Sequence, residues 1–315
     1  MLHPCAENVD FTEGAPRRLP VTTDTAPIRD LLLRISTLPS IGLGLSRLLA
    51  LDAGSPDVLE RAVPIIEGDP ALAAHVMRLA NSAAFAGSEV VDSVERAVMR
   101  VGPKVLVGSI AQARVAAAFG PRGRWELALW NQAVLGANLA REFAAAAPTI
   151  GIPPATAYTQ ALLHDVGRLV MAPLIGPLMD EIHGLAGNLR TDLAPIERGL
   201  LGYDHATAGR LLAVKWKLPS MLTLVISTHH DPRAIRPPEA DRACALMAAV
   251  DEVLSLLPHD GSTEPDARIG DLLSTPDTAN VLAGAGLTPA AARDALAASL
   301  ESCDRQRKML GLPRS

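Results

Sequence analysis

The side chains in this sequence with the chemistry for a reactive centre lie in its second half. They are His164 and Asp165 in "ALLHDVGRLVMAPL", His205 in "GYDHATAGRLLA", His229 and His230 in "ISTHHDP", and Asp251 in "ALMAAVDEVLSLL". Imidazole mixed with carboxylate suits divalent zinc, manganese or iron, and two such ions can activate a water against a phosphate. Burying a histidine and an aspartate in an apolar stretch is costly unless an ion, a ligand or a polar network satisfies them. Consecutive helical positions point about 100° apart. His164 and Asp165 can therefore serve one site only near a helix end or a helix crossing. Gly167, just beyond, lets another backbone or a ligand come close. Arg168 offers a cation that could face a phosphate. Spacing alone leaves open whether these residues converge or are each hydrogen-bonded core residues. For His3, His75, His183 and His259 the plain structural reading is adopted.

The elements that must position them read as helices throughout. Residues 1–24 are polar and non-periodic and are expected to form a mobile extension. In "SPDVLERAVPIIEG", Ser55 is expected as N-cap with Pro56 at the first helical position, and Pro64 should bend or break the helix. "DPALAAHVMRLANSAAF" starts with Asp69 as cap and sets Leu72, Val76 and Leu79 on one stripe. At its end, Asn81 and Ser82 are read as capping or cross-linking groups, the alternative being an interaction surface. "DSVERAVMRVG" reads as a capping box of Asp92 and Glu95, with Val94, Val98 and Val101 buried and Gly102 as the stop. Gly120 to Gly123 divides a helical subdomain of about 25–123 from a second of about 124–258. In the latter, helices are expected over 126–147, 155–172, 205–216, 220–230 and 240–257. A polar linker follows, then a tail helix capped by Thr288 with Leu296, Leu300 and Cys303 on one face. That face suits docking on its own domain, or a dimer or partner contact. The fold class is all-α.

Composition narrows the function classes. With 315 residues and 49% hydrophobic content the chain buries a full core. A net charge of −5 and only 3% aromatic residues give no electrostatic or stacking basis for nucleic-acid binding. The three cysteines, Cys5, Cys244 and Cys303, are widely spaced, which suits a reducing cytoplasm and offers no disulfide framework. The uncharged run from Phe143 to Leu163 has bilayer length, but Pro148, Gly151, Pro153 and Pro154 make it helix, loop, helix. No membrane association is expected.

Several linked motifs resemble one known family. "IIEGDPALAAHVMRLANSAAF" followed by "SVERAVMRVG" resembles the signature half of HDOD domains, the output-type relatives of HD phosphohydrolases. "LPSIGLGLSRLLAL" is similar to that family's opening helix, and "ALLHDVGRLVM", "GYDHATAGRLLAVKWKLP" and "ISTHHDP" to its second half, in the expected order. The resemblance covers about residues 28–257. It implies a helical N-terminal subdomain followed by a multi-helix HD-like domain in bacterial signal transduction, in a family usually described as lacking the catalytic set. Carried over by residue, the His-Asp pair matches His164 and Asp165, and the late acid of HD enzymes matches Asp251. His205, His229 and His230 resemble the additional histidines of dinuclear HD-GYP phosphodiesterases. The early histidine of HD enzymes should fall in "LALWNQAVLGANLARE", where Gln132 stands after Trp130. Glutamine is a poor ligand for these metals, and no "HHE…GYP" signature occurs.

Two readings from different classes follow. The favoured one is a non-catalytic signalling module that binds a signalling protein, or a nucleotide second messenger in the cleft, with Gln132 and Arg168 as cleft residues. On this reading no catalytic residues and no required cofactor are expected. The alternative is a metal-dependent phosphohydrolase or phosphodiesterase acting on a nucleotide or cyclic dinucleotide, with iron, manganese or zinc held by His164, Asp165, His205, His229, His230 and Asp251. A purely structural or assembly role, possible through a homodimer, rests only on the amphipathic residues 288–310.

Overall fold

The computed structural model describes residues 26–310 apart from 38–42, 52–54, 69, 86–90, 120–123, 176–177, 179–192, 232 and 258–268. The expected N-terminal extension, the Asp69 cap, the glycine breaker between subdomains and most of the polar linker lie outside the described residues, as do His3, His183 and His259. The described residues are helical and carry no strand, so the all-α expectation holds.

The N-terminal half comprises α1 (Ala26–Thr37), α2 (Leu43–Leu49), α3 (Val58–Glu67), α4 (Pro70–Ala80), α5 (Val94–Val101) and α6 (Pro103–Phe119). The stripe of Leu72, Val76 and Leu79 on α4 is buried, as are Val98 and Val101 on α5, and α3, α4 and α5 pack on one another through these faces. Caps depart from expectation by a residue or two. Asp57, not Ser55, sits at the N-cap of α3, where it accepts the Ser55 hydroxyl instead of capping a backbone N–H. Pro64 does not break α3, which continues to Glu67. On α5 the N-cap is Ser93, whose hydroxyl accepts from Arg96 N. Asp92 pairs instead with the Arg96 guanidinium at 3.0 Å. Gly102 ends α5 with φ 74°, a conformation glycine adopts without strain.

The C-terminal half begins with the long α7 (Arg124–Ala146). It turns through Pro148–Ile150 and Gly151 into α8 (Pro154–His164), which is the expected helix, loop, helix. A helix over residues 166–175 follows (α9). Then come α10 (Leu193–Leu201), α11 (His205–Trp216), α12 (Ser220–Thr228) and α13 (Pro238–Ser255). Helix α8 lies in the middle, touching α6, α7, α12 and α13. One hydrophobic core runs through both halves. At their junction Lys215 donates to the carbonyls of Ile35 (2.6 Å) and Ser36 (2.8 Å), capping α1, while Ser46 donates to Trp216 O at 2.7 Å.

The tail forms α14 (Ile269–Leu273), α15 (Pro276–Gly284) and α16 (Pro289–Leu310). Thr288 caps α16, accepting from Ala291 N at 3.2 Å. Leu296 and Cys303 are buried and Leu300 is packed against the same core. The helix docks on α7, where Asn138 and Arg141 reach Cys303 Sγ and Ser302 Oγ. Among the described residues no helix is long and apolar enough to cross a membrane.

Candidate functional site

The expected helix over 155–172 is interrupted at the position that matters. α8 ends at His164, Asp165 adopts a turn conformation (φ −96°, ψ 14°), and α9 restarts beyond it. The break resolves the angular problem posed by adjacent helical residues, because His164 and Asp165 both sit at a helix end. Gly167 makes the remaining approach possible. A Cβ there would lie 2.7 Å from Gly209 N and 2.8 Å from the carbonyl carbon of His205, and nearer still to the His205 oxygen. The backbone of α9 therefore rests directly on that of α11. This brings Asp165 to the first residue of α11, His205.

Each remaining donor also stands at a defined place. α11 starts at His205 because Asp204 is its N-cap, accepting from Thr207 N at 2.8 Å and paired with Arg198. His229 stands at the C-cap of α12, with His230 next, and Arg236 secures that corner by donating to Thr228 O and Asp231 O. Asp251 projects from α13.

All six sequence-predicted donors converge, in two groups that share Asp165. Ligand atoms of Asp165, His205, His229 and His230 lie within 4.8 Å of one another, as do those of His164, Asp165 and Asp251. Asp165 Oδ1 is 3.2 Å from His205 Nε2, 3.4 Å from His229 Nε2 and 3.8 Å from His164 Nε2. Arg168 binds the other carboxylate oxygen, Oδ2, at 3.2 Å. Gln132 is half-buried on α7 and makes no hydrogen bond to these residues. His75 is on α4, apart from the group. Asn81 ties the end of α4 to Val91, accepting from its N–H at 2.8 Å and donating to its carbonyl at 2.9 Å, and Ser82 donates to Leu79 O. These bonds are the cross-linking expected of the pair.

The two groups differ in how they are satisfied. His164, 3% exposed, meets Ala161 O through Nδ1 at 2.7 Å and Asp251 Oδ1 through Nε2 at 3.1 Å. Burial opposes its charge, but the Asp165 and Asp251 carboxylates outweigh that and hold its pKa up at about 9. Both ring nitrogens face oxygen acceptors, an arrangement that favours the imidazolium. His229 is the opposite case. Burial, with the His230 and His164 charges, pushes it down to about 4 against the pull of Asp165. Its Nδ1 faces the carbonyls of Val225 (3.2 Å) and Ile226 (3.0 Å), so the single proton sits there. Nε2 is left as a bare lone pair aimed at a carboxylate oxygen.

That juxtaposition is the chemically informative one. Asp165 Oδ1, His205 Nε2 and His229 Nε2 are buried and have no hydrogen-bond partner. Unpaired buried polar atoms cost about 1–3 kcal/mol each, more for charged groups. Donors around a four-coordinate divalent ion stand roughly 3.3 Å apart, close to the 3.2 and 3.4 Å found here. The residues present fit a divalent cation held by Asp165, His205, His229 and His230.

One contributor escaped the sequence reading. Glu197 on α10 is 3% exposed and accepts from His205 twice, from Nδ1 at 2.6 Å and from the backbone N–H at 2.8 Å. Burial would raise its pKa, but His205 and Arg168 hold it below the usual carboxylate range. The available signal was its register: Ala194, Glu197 and Leu201 lie three and four residues apart and share the buried face of α10, so an acid occupies a core position.

Comparison with known proteins agrees with this architecture. The family model of the HDOD domain matches residues 35–232. An uncharacterized protein of Treponema pallidum is 27% identical over 265 residues, 82% of this chain and 50% of that protein, so the chain spans about half the length of this relative. The crystal structure of an HDOD domain protein from Geobacter sulfurreducens superposes with a TM-score of 0.65 at 23% identity, covering 89% of this chain and 95% of the other. A Marinobacter aquaeolei protein provisionally described as a signal transduction protein gives 0.67 at 23% identity, over 92% and 67% of the two chains. A Shewanella amazonensis protein provisionally described as a phosphohydrolase gives 0.58 at 24%, over 87% and 97%. With a match to well over half of its length, the signature motifs in order and the paired histidine and aspartate at a helix end, the chain belongs to the HDOD family.

Proposed function

We propose that this chain is a bacterial, cytoplasmic signal-transduction module that binds one divalent cation in the Asp165–His205–His229–His230 half of its cleft and acts by binding rather than by hydrolysis. The observation that supports the proposal is the convergence of three buried atoms, Asp165 Oδ1, His205 Nε2 and His229 Nε2, which approach one another at 3.2 and 3.4 Å without completing a hydrogen bond. His229 has its proton fixed on the far nitrogen, so the near one is a ready ligand. Three imidazoles with one carboxylate favour zinc, iron or manganese over magnesium or calcium. The sequence reading left these residues as either a hydrogen-bonded polar network or a weak metal site with a structural role, and the proposal takes the second.

The other half of the cleft supports the non-catalytic part. His164 is hydrogen-bonded to Asp251, and by the sequence resemblance Gln132 stands where HD enzymes carry a further histidine ligand. Asp165 is held from behind by Arg168, which leaves that guanidinium committed to the protein instead of free for a phosphate. The output is then the shape of the cleft and its surroundings, offered to a signalling protein or a nucleotide.

The test is to strip the protein with a chelator, titrate it with Zn²⁺ and Mn²⁺, and assay the loaded forms against phosphomonoesters and cyclic dinucleotides. One equivalent bound, lost in His229→Ala, with no turnover, is expected. No binding overturns the cation site. A second reading, a metal-dependent phosphohydrolase, is kept because His164, Asp165 and Asp251 still stand within ligating reach of one another. Metal-dependent turnover abolished by His164→Ala and Asp165→Ala would establish it and overturn the non-catalytic proposal.

A further inference from the structure

We infer that Glu197 is the positioning residue of the cation site, acting through His205. The inference rests on the cation reading above and extends it to a residue outside the ligand set. A single oxygen, Glu197 Oε2, accepts both the ring Nδ1 (2.6 Å) and the backbone N–H (2.8 Å) of His205. Gripping ring and main chain together fixes the ring's orientation about its side-chain bonds. It also sets the proton on Nδ1, so that Nε2 points at Asp165 Oδ1, 3.2 Å away.

Burial makes the assignment specific. A carboxylate that is 3% exposed is expensive unless paired and hydrogen-bonded, and Glu197 spends its hydrogen bonds on His205. A structural helix contact needs no charge there. A metal-binding imidazole gains from it, because a carboxylate behind the ring raises the basicity of the ligating nitrogen. The chain thus sets Glu197 behind Nδ1 of His205 and turns Nε2 toward Asp165, with α10 supplying the acid and the first residue of α11 the ring that would hold the cation.

The experiment uses the full chain and Co²⁺ and Zn²⁺ as probes. Glu197→Gln keeps an oxygen acceptor and removes the charge. It is expected to weaken Zn²⁺ binding roughly ten- to a hundredfold in chelator competition and to shift the visible absorption of the Co²⁺ form. The metal-free protein should melt lower, because His205 loses a charged partner, so affinity and the Co²⁺ spectrum are the deciding readouts. Unchanged affinity and an unchanged Co²⁺ spectrum overturn the inference. Should the Gln variant fail to fold, Glu197→Asp retains the charge but shortens the reach, and at least a fivefold loss of Zn²⁺ affinity is expected, equal affinity again overturning it. If the wild-type protein itself binds neither ion, the cation reading fails first and takes this role with it. If it binds and the variants bind equally, only the role of Glu197 fails.

Discussion

Gly167 is the point where a single added methyl tests how the site is built. In Gly167→Ala the new carbon meets Gly209 N at 2.7 Å and the His205 carbonyl group at 2.8 Å or less. These are backbone atoms of α11, so no side chain can swing aside. The two helices must part by roughly 1.5 Å at the closest contact to restore ordinary distances. Alanine gains about 1 kcal/mol in helix propensity, but overpacking of this kind costs about 1–3 kcal/mol and sometimes more. Rigid backbone on the far side places the cost at the upper end, for a net loss of about 2 kcal/mol, roughly thirtyfold in the folding equilibrium. Gly199→Ala on α10 is the matched control, because nothing lies within 4 Å of a Cβ there. That variant should gain about 0.4–1 kcal/mol. Urea unfolding of both variants reads the difference, and Zn²⁺ competition reads the second effect, since moving α11 opens the 3.2 Å gap between His205 and Asp165. If Gly167→Ala matches the control in stability and the wild type in cation affinity, the helix crossing does not hold the donors together.

Three further outcomes are expected. Asn81→Ala removes the bonds to both backbone groups of Val91 and should cost about 1–3 kcal/mol in urea unfolding, with cation affinity unchanged. Lys215→Met frees the carbonyls of Ile35 and Ser36 and should cost about 1 kcal/mol, with faster amide exchange in α1 as the local readout. A cation supplied at a hundred times its dissociation constant should stabilise the protein by about 2.7 kcal/mol. A chelator should reverse the shift in a thermal melt of the wild type and produce none in His229→Ala.

The donors were legible in the sequence because their side-chain chemistry is conspicuous in apolar helices. His164, Asp165 and Asp251 stand among Ala, Leu and Val, while His205, His229 and His230 are set off by the motifs "GYDHATAG" and "ISTHHDP". What the sequence left hidden is geometry that depends on contacts between helices. Nothing in "ALLHDVGRLVMAPL" announces a break at Asp165, since every residue in the stretch before Pro173 is compatible with a continuous helix. The turn becomes visible only with α11 pressed against Gly167. Glu197 was passed over because glutamate is at home on exposed helix faces, and only its alignment with Ala194 and Leu201 marks it as buried. The caps show the same limit on a smaller scale. Ser55 and Asp57, or Asp92 and Ser93, offer rival oxygens one or two residues apart, and the backbone angle that selects between them is not local to either side chain. Pro64 is the seventh of α3's ten residues, and it forfeits one ladder bond without ending the helix, which runs on to Glu67 and closes with Gly68 N bonded to Pro64 O.

The ties at the far end of α11 give that helix a mechanical meaning. Its twelve residues make a strut roughly 18 Å long, with His205 at one end and Lys215 and Trp216 at the other. The far end is pinned to the carbonyls closing α1 and to Ser46 on α2. A strut anchored at both ends does not absorb displacement along its length. The helix that opens with a donor of the cleft thus closes on the N-terminal helices, and one rigid element is shared between the two halves.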